Sequence, residues 1–430
     1  MFTTMQECTD FIFSLKAVDH KRQPLVLMRD VLTRLNNPQD QLRVIHIAGS
    51  NGKGSTVNAL REMLQQAGYK VGAFTSPHLE RVNERMTING IPISDEQFLL
   101  YMNTIATIIE THYNGDFPSF FEVVTLIMFQ YFADEAVEIA LIEVGLGGRL
   151  DATNVVIPVL SIITTVSLEH TAFLGDTFAK VAFEKAGIIK EGIPVIVGVK
   201  NEEALAVIYE TAKQRHAPCY VFGQDFTIDD LYQEADRQIF DYHYKEIILS
   251  AVPLKMAGLH QVVNASIAIT AILLLKEQGL VNITDAHIRQ ALAQAQWAGR
   301  FEQISPRIIL DGAHNSEGTA ALLQTLTTVY PQQRYHIVYA ALSDKDHANS
   351  IALMDQKAAS ITFTQIGLPQ AMPAEQLAAL SKHSAKVYDK DWRQALQAVL
   401  QKKGADDVVI ITGSLYFIAE ARQWFGEDGR

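Results

Sequence analysis

The stretch Arg43-Val44-Ile45-His46-Ile47-Ala48-Gly49-Ser50-Asn51-Gly52-Lys53-Gly54-Ser55-Thr56 decides how this chain is read. Val44–Ala48 predicts a short, mostly apolar strand, three glycines then break it, and a helical pattern follows, plainest over Leu60–Gly68. Gly49, Gly52 and Gly54 permit close backbone approach, the helix turns unpaired N–H groups and its positive dipole end outward, and Lys53 adds a mobile cation. Together they predict a cradle for the phosphates of a nucleoside triphosphate; a plain glycine-rich turn is the simpler alternative. The pattern departs from G-x-x-x-x-G-K-[ST], with Ile47 where a glycine belongs and Gly54 where a magnesium-binding hydroxyl belongs. Ser55 is one candidate replacement.

Outward from this stretch, strand-like runs at Val71–Phe74, Ile139–Val144 and Val159–Val166 alternate with helical patterns, the longest over Phe120–Ala136. Such alternation predicts a P-loop-type, mostly parallel sheet covered on both faces, with ligands beyond the carboxyl ends of its strands. The unusual residues fall there: Thr75-Ser76-Pro77-His78, Glu143-Val144-Gly145 and Ser167-Leu168-Glu169-His170. Between Tyr220 and Met256 the pattern shortens and alternates, predicting a small antiparallel β insertion, followed by helices over Gly258–Gln278 and Asp285–Trp297. A second βα series has strands at Ile308–Leu310, Tyr335–Ala340, Ile361–Gln365 and Val408–Thr412, and predicts a Rossmann-like α/β domain. The expected division is therefore residues 1–297 and 298–430.

With 430 residues, 36 Lys plus Arg against 48 Asp plus Glu, and a net charge of −12, the chain is unsuited to broad attraction to nucleic acid or anionic membranes. Anionic substrates need local basic clusters. Cys8 and Cys219 lack metal spacing and fit a reducing compartment. Glu7 and Asp10 precede any basic residue, unlike a secretory signal, and the apolar run Val262–Leu275 is interrupted and too short to span a bilayer. A cytoplasmic monomer is expected.

Phosphoryl transfer needs the terminal phosphate held and its charge neutralised, and magnesium favours oxygen ligands. Ser76 and Glu143 qualify, against the alternatives of a turn residue and a hydrogen-bonded strand-end carboxylate. Lys185 sits near a predicted helix end, where lysine complements the dipole; a catalytic role would require burial to lower its pKa. Asn264 and Arg300 suit a base edge and a phosphate, or a helix interior and a surface. Asp311 and His314 share a strand-end loop that otherwise reads as an Asp-Gly turn. Arg81, Arg85 and His78 form a basic cluster able to receive a carboxylate, or simply to face solvent.

GSNGKGS, TSPHLERVNER, FFE, EVGLGGRLDATN, SLEH, EKAGIIK, DGAHN and TGSLY occur in that order between about residues 40 and 420. In this order they resemble the folylpolyglutamate synthase and dihydrofolate synthase branch of the Mur ligase superfamily. The resemblance implies an ATP-dependent amide ligase that phosphorylates the carboxylate of dihydropteroate or of a folate, the acyl phosphate then being attacked by L-glutamate. It implies that Asn51, Gly52, Lys53, Gly54 and Ser55 cradle phosphates and that Ser76, Glu143 and His170 hold Mg2+. Lys185 matches a lysine that carries a carbamate. Asn264, Arg300 and Asp311 match nucleotide positions. Arg81, Ser119, Phe120, Phe121, Glu122, Leu150, Asp151, Ala152 and Ser414 fall on the substrate side, and His314 on the C-terminal catalytic loop. Glutamate would bind largely to the second domain, with closure around Ala298–Arg300. The rival readings are a cell-wall Mur ligase and a P-loop ATPase or regulatory nucleotide-binding protein.

Overall fold

The computed structural model describes residues 1–15, 25–234, 236–343 and 347–428. The chain divides into two compact units. The first comprises Met1–Asp229, Asp241–Val252 and Val263–Ala293; the second comprises Asp230–Phe240, Pro253–Val262 and Gln294–Arg430. The boundary expected after residue 297 falls inside the last of these segments.

The first unit is built on an eight-stranded sheet of β1 (Val44–Ala48), β2 (Val71–Phe74), β3 (Met86–Ile88), β4 (Ile91–Pro92), β5 (Ile139–Glu143), β6 (Leu160–Ile163), β7 (Val195–Val197) and β8 (Cys219–Val221), in the order β4-β3-β2-β5-β1-β6-β7-β8. Every residue of β1, β2, β5 and β6 is buried, as expected of strands covered on both faces. One face packs on helices Asp95–Tyr113 and Phe120–Asp134, the other on Phe178–Ala186 and Glu202–Gln214. Because β2, β5, β1 and β6 are contiguous and parallel, the four unusual loops all leave the same edge. That adjacency is what the fold contributes to the site.

The helix after β1 begins at Lys53, not near Leu60, because Gly52 at φ +89° lets the chain turn straight into it. The helix predicted over Gly258–Gln278 runs from Leu259 to Glu277. At 19 residues it is longer than its apolar run and matches a membrane span in length and composition. Its most apolar window is 78% buried, which makes it a core helix.

The predicted insertion forms β9 (Phe226–Glu234), β10 (Arg237–Tyr244) and β11 (Ile247–Leu254), with neighbours β10 and β11 joined by Lys245 and Glu246 alone. So short a link permits only antiparallel pairing. The last sheet contains β12 (Glu302–Ser305), β13 (Ile308–Asp311), β14 (Tyr335–Tyr339), β15 (Ser360–Phe363), β16 (Lys386–Tyr388) and β17 (Val408–Thr412), in the order β12-β13-β17-β14-β15-β16. All neighbours are parallel except edge strand β12. Asp311 pairs with Thr412, so the two unusual turns of this sheet also emerge side by side.

Candidate active site

In the first unit the loop after β1 is held from two sides. Thr165 Oγ1 accepts from the Asn51 N–H at 2.8 Å, and the Asn51 carbonyl accepts from Thr164 Oγ1 at 2.6 Å. Ser50 Oγ accepts from the Ser167 N–H at 2.9 Å. Gly52 is required twice over, for its positive φ and because a Cβ there would lie 2.4 Å from Asn264 Oδ1. Asn264, on the buried helix Leu259–Glu277, is thereby placed against the loop, and Gly54 and Ser55 lie in the first turn of the helix that starts at Lys53.

Lys53 Nζ donates to Gly49 O at 2.8 Å and Ser50 O at 3.3 Å, and lies 3.8 Å from Glu143 Oε1. Glu143 is 3% exposed at the end of β5, and its Oε2 accepts from the Ser76 N–H at 3.4 Å. Ser76 and Glu143 are therefore neighbours on adjacent strand ends. His170, at φ +49°, opens the short helix Thr171–Leu174 at the fourth loop. Among the described residues no three His, Cys, Asp or Glu side chains converge closely enough to hold a metal ion by themselves.

Lys185 is 1% exposed, and its Nζ lies 3.7 Å from Glu169 Oε1. Burial, with repulsion from Lys53, lowers the ammonium from 10.5 to about 8 against the pull of Glu169. Burial pushes the Glu169 carboxyl upward, but Lys185 and Lys53 outweigh it and leave it below the ordinary value. Glu169 was the site residue sequence reasoning passed over. Its signal was its place beside His170 in SLEH, at the end of a strand.

The expected substrate-side residues are distributed more widely. Ser119 and Glu122 form a capping box for helix Phe120–Asp134, the Ser119 hydroxyl and N–H both donating to Glu122 Oε2, at 2.7 and 2.8 Å. Phe120 stacks on Phe13, with the Arg85 guanidinium 4.9 Å above its ring, and Phe121 packs beside Phe74. Arg81 is bidentate to Asp95 at 2.7 and 2.8 Å. Arg85 is buried and donates to His78 Nδ1 at 2.8 Å; burial, then Arg85, lowers that imidazole to about 4. Leu150 is 46% exposed, whereas the adjacent Asp151 and Ala152 are buried.

In the second unit Asp311 is buried at the end of β13, accepting from the Phe301 and Ala313 N–H groups at 2.8 and 2.9 Å. Burial raises its pKa, opposed by Arg300 and those two donors. Arg300 is also close enough to His260 that burial and this cation together lower the imidazole to about 4. His314 Nδ1 is 2.8 Å from Gly312 O, so Nδ1 carries the proton and Nε2 accepts when the ring is neutral. Gly413 N–H donates to Ala313 O at 3.1 Å, and Ser414 Oγ accepts from the Tyr416 N–H at 3.2 Å. Asp311, His314, Arg300 and Ser414 thus lie on adjoining loops.

Residues 47–272 match the Mur ligase middle domain, and residues 299–415 match the Mur ligase glutamate ligase domain. The chain belongs to the Mur ligase family. Within it the chain falls in the folylpolyglutamate and dihydrofolate synthase branch and is an ATP-dependent ligase. It is 38% identical to the dihydrofolate synthase/folylpolyglutamate synthase of Bacillus subtilis over 98% of this chain and 99% of that protein. The crystal structure of a folylpolyglutamate synthase from Thermotoga maritima superposes with a TM-score of 0.85 at 32% identity, covering 98% of this chain and 97% of that one. The Escherichia coli FolC protein, solved with DHPP and ADP, superposes with a TM-score of 0.90 at 27% identity, covering 100% and 99%. This Mur ligase therefore has the two-domain α/β architecture its motifs predicted.

Proposed function

We propose that this Mur ligase joins L-glutamate to folates, and also to dihydropteroate, by way of an acyl phosphate. The observation that supports the reading is the convergence at one sheet edge of Lys53 on the phosphate loop, Glu143 3.8 Å from it, and the buried Lys185–Glu169 pair. A carboxylate is a poor electrophile until one oxygen becomes a leaving group. Transfer of the γ-phosphoryl group to that oxygen supplies one, the amine then attacks the acyl carbon, and inorganic phosphate departs as the amide forms.

Backbone N–H groups from Gly52 to Ser55 cradle the phosphates, the Asn51 N–H holds the loop to Thr165, and Lys53 offsets the phosphate charge. Mg2+ fits the neighbouring residues, since Glu143 and Ser76 offer a carboxylate and a hydroxyl on adjoining strand ends, with His170 on the fourth loop. When bound, the ion neutralises charge on the phosphates. Lys185, lowered to about 8, holds enough neutral amine to add CO2: its nitrogen bonds the carbon, a C=O π pair moves to oxygen, and the amine loses a proton. The resulting carbamate is an anionic oxygen donor for a second metal. Asn264, Arg300 and Asp311 serve the nucleotide, His314 and Ser414 the glutamate side, and Arg81 with the Ser119–Glu122 and Leu150–Ala152 segments the acceptor side. The enzyme works as a cytoplasmic monomer without nucleic acid or membrane.

The test is incorporation of labelled glutamate by the purified enzyme with ATP and Mg2+, comparing dihydropteroate with tetrahydrofolate. Label entering both acceptors is expected. Phosphate release indifferent to acceptor and glutamate would favour an ATPase instead.

A further inference from the structure

His46 lies at the centre of β1, wholly buried between Ile142 of β5 and Ser161 of β6. An aliphatic residue would pack in such a strand, whereas the imidazole leaves its Nδ1 buried with no hydrogen-bond partner. Its other nitrogen is engaged: Nε2 lies 2.9 Å from Thr153 Oγ1. Thr153 donates its hydroxyl to Asp151 Oδ1, and its N–H reaches the same oxygen at 3.0 Å. Asp151 Oδ2 accepts from the Leu146 N–H at 2.9 Å.

The direction of this chain follows from its donors. Burial raises the Asp151 carboxyl, but the Thr153 hydroxyl and the Thr153 and Leu146 N–H groups all donate to it; the single Thr153 hydroxyl proton therefore points at Asp151, and the Thr153 oxygen accepts from His46. His46 is therefore the Nε2–H tautomer, and the unpartnered Nδ1 is a bare lone pair, less costly to bury alone than an N–H. Burial, then Lys190, holds the imidazole near 3, so it stays neutral while the enzyme works. Asp151 in turn bridges Leu146 and Thr153, and Leu150 stands exposed between those anchors.

We propose that His46 is a positioning residue, the fixed end of a His46–Thr153–Asp151 hydrogen-bond relay that sets the Leu146–Thr153 loop for the acceptor substrate. Asp151 acts by shaping the loop, and Leu150 is the side chain presented to the acceptor. The assignment of the loop to the acceptor rests on the function proposed above; the relay itself does not.

The experiment compares His46→Phe, which removes the donor, with His46→Gln, whose amide N–H can reach Thr153. In His46→Phe, amide hydrogen exchange at Leu146 and Thr153 is expected to quicken by about tenfold or more while Asn51 stays within about twofold. The acceptor KM should rise about tenfold with the ATP KM within about twofold, and His46→Gln should restore both readouts. Equal change at Asn51 and in the loop, no change in loop exchange, or a His46→Gln variant no better than His46→Phe would overturn the relay. If His46→Phe does not fold, Thr153→Val against Thr153→Ser makes the same comparison without touching β1. A wild-type enzyme whose ADP release ignores the acceptor would refute the acceptor reading, while the exchange measurement still decides the relay.

Discussion

The carboxyl ends of the two parallel sheets have similar backbone layouts and different chemistry. At the edge of the first, ionic side chains cluster: half-buried Lys53 near buried Glu143, and buried Lys185 near half-buried Glu169. At the edge of the second, Asp311 is buried too, but its oxygens are occupied by two backbone N–H groups, and His314 is turned by a backbone carbonyl. Charge taken out of water must be paired, and here two cations stand against two carboxylates, with the half-buried Lys53 placed to meet a charged ligand. A loop satisfied by its own backbone is suited to holding a molecule still. On the function proposed above, phosphoryl chemistry falls to the first sheet and positioning to the second.

The sharpest way to break this contrast is Lys53→Ala. Removing the phosphate-loop cation is expected to lower kcat by about 10²–10³, read as glutamate-dependent ADP release. Lys185→Ala should follow at about 10², partly restored by short carboxylic acids that replace the carbamate oxygens; unchanged turnover would remove the carbamate. Asp311→Asn should be milder, because one side of the new amide cannot accept from Phe301 or Ala313. It should raise the ATP KM about tenfold and spare kcat, and a loss as large as that of Lys53→Ala would erase the distinction between the edges.

The smallest effect is on stability. Folded His260 titrates near 4 and the unfolded chain near 6.5, so between these values the unfolded state binds more protons. Stability therefore rises with pH through that window and is lost as pH falls. His260→Gln should flatten the acid limb of a Tm–pH curve, and an unchanged limb would show that His260 binds protons alike in the folded and unfolded chain.

What the sequence disclosed about this site depended on whether a residue's partner is local. Strands β1, β2 and β17 were legible to the residue because mostly apolar runs end in glycine or hydroxyl-rich turns. Short strands at or next to a sheet edge, such as β3, β4 and β16, carry too few residues for a period to emerge. Lys53 announced itself through its loop, but the burial of Lys185 comes from packing that spacing does not encode, and its dipole position gave no sign of Glu169 at 3.7 Å. Arg81 read as part of a basic cluster that receives a carboxylate or faces solvent, and its spacing gave no sign of the ion pair with Asp95. Ser119 and Glu122 matched substrate-side positions, and S-x-x-E before an apolar run is also a helix start: the fold uses the pair as a capping box.

The central claim is that ATP activates the acceptor's own carboxylate. It is tested most directly by supplying an acceptor labelled with ¹⁸O in that carboxylate and measuring the released phosphate by mass spectrometry. The acyl phosphate route predicts one ¹⁸O carried into each phosphate, released only when both acceptor and glutamate are present. Phosphate released at full turnover without ¹⁸O would contradict it.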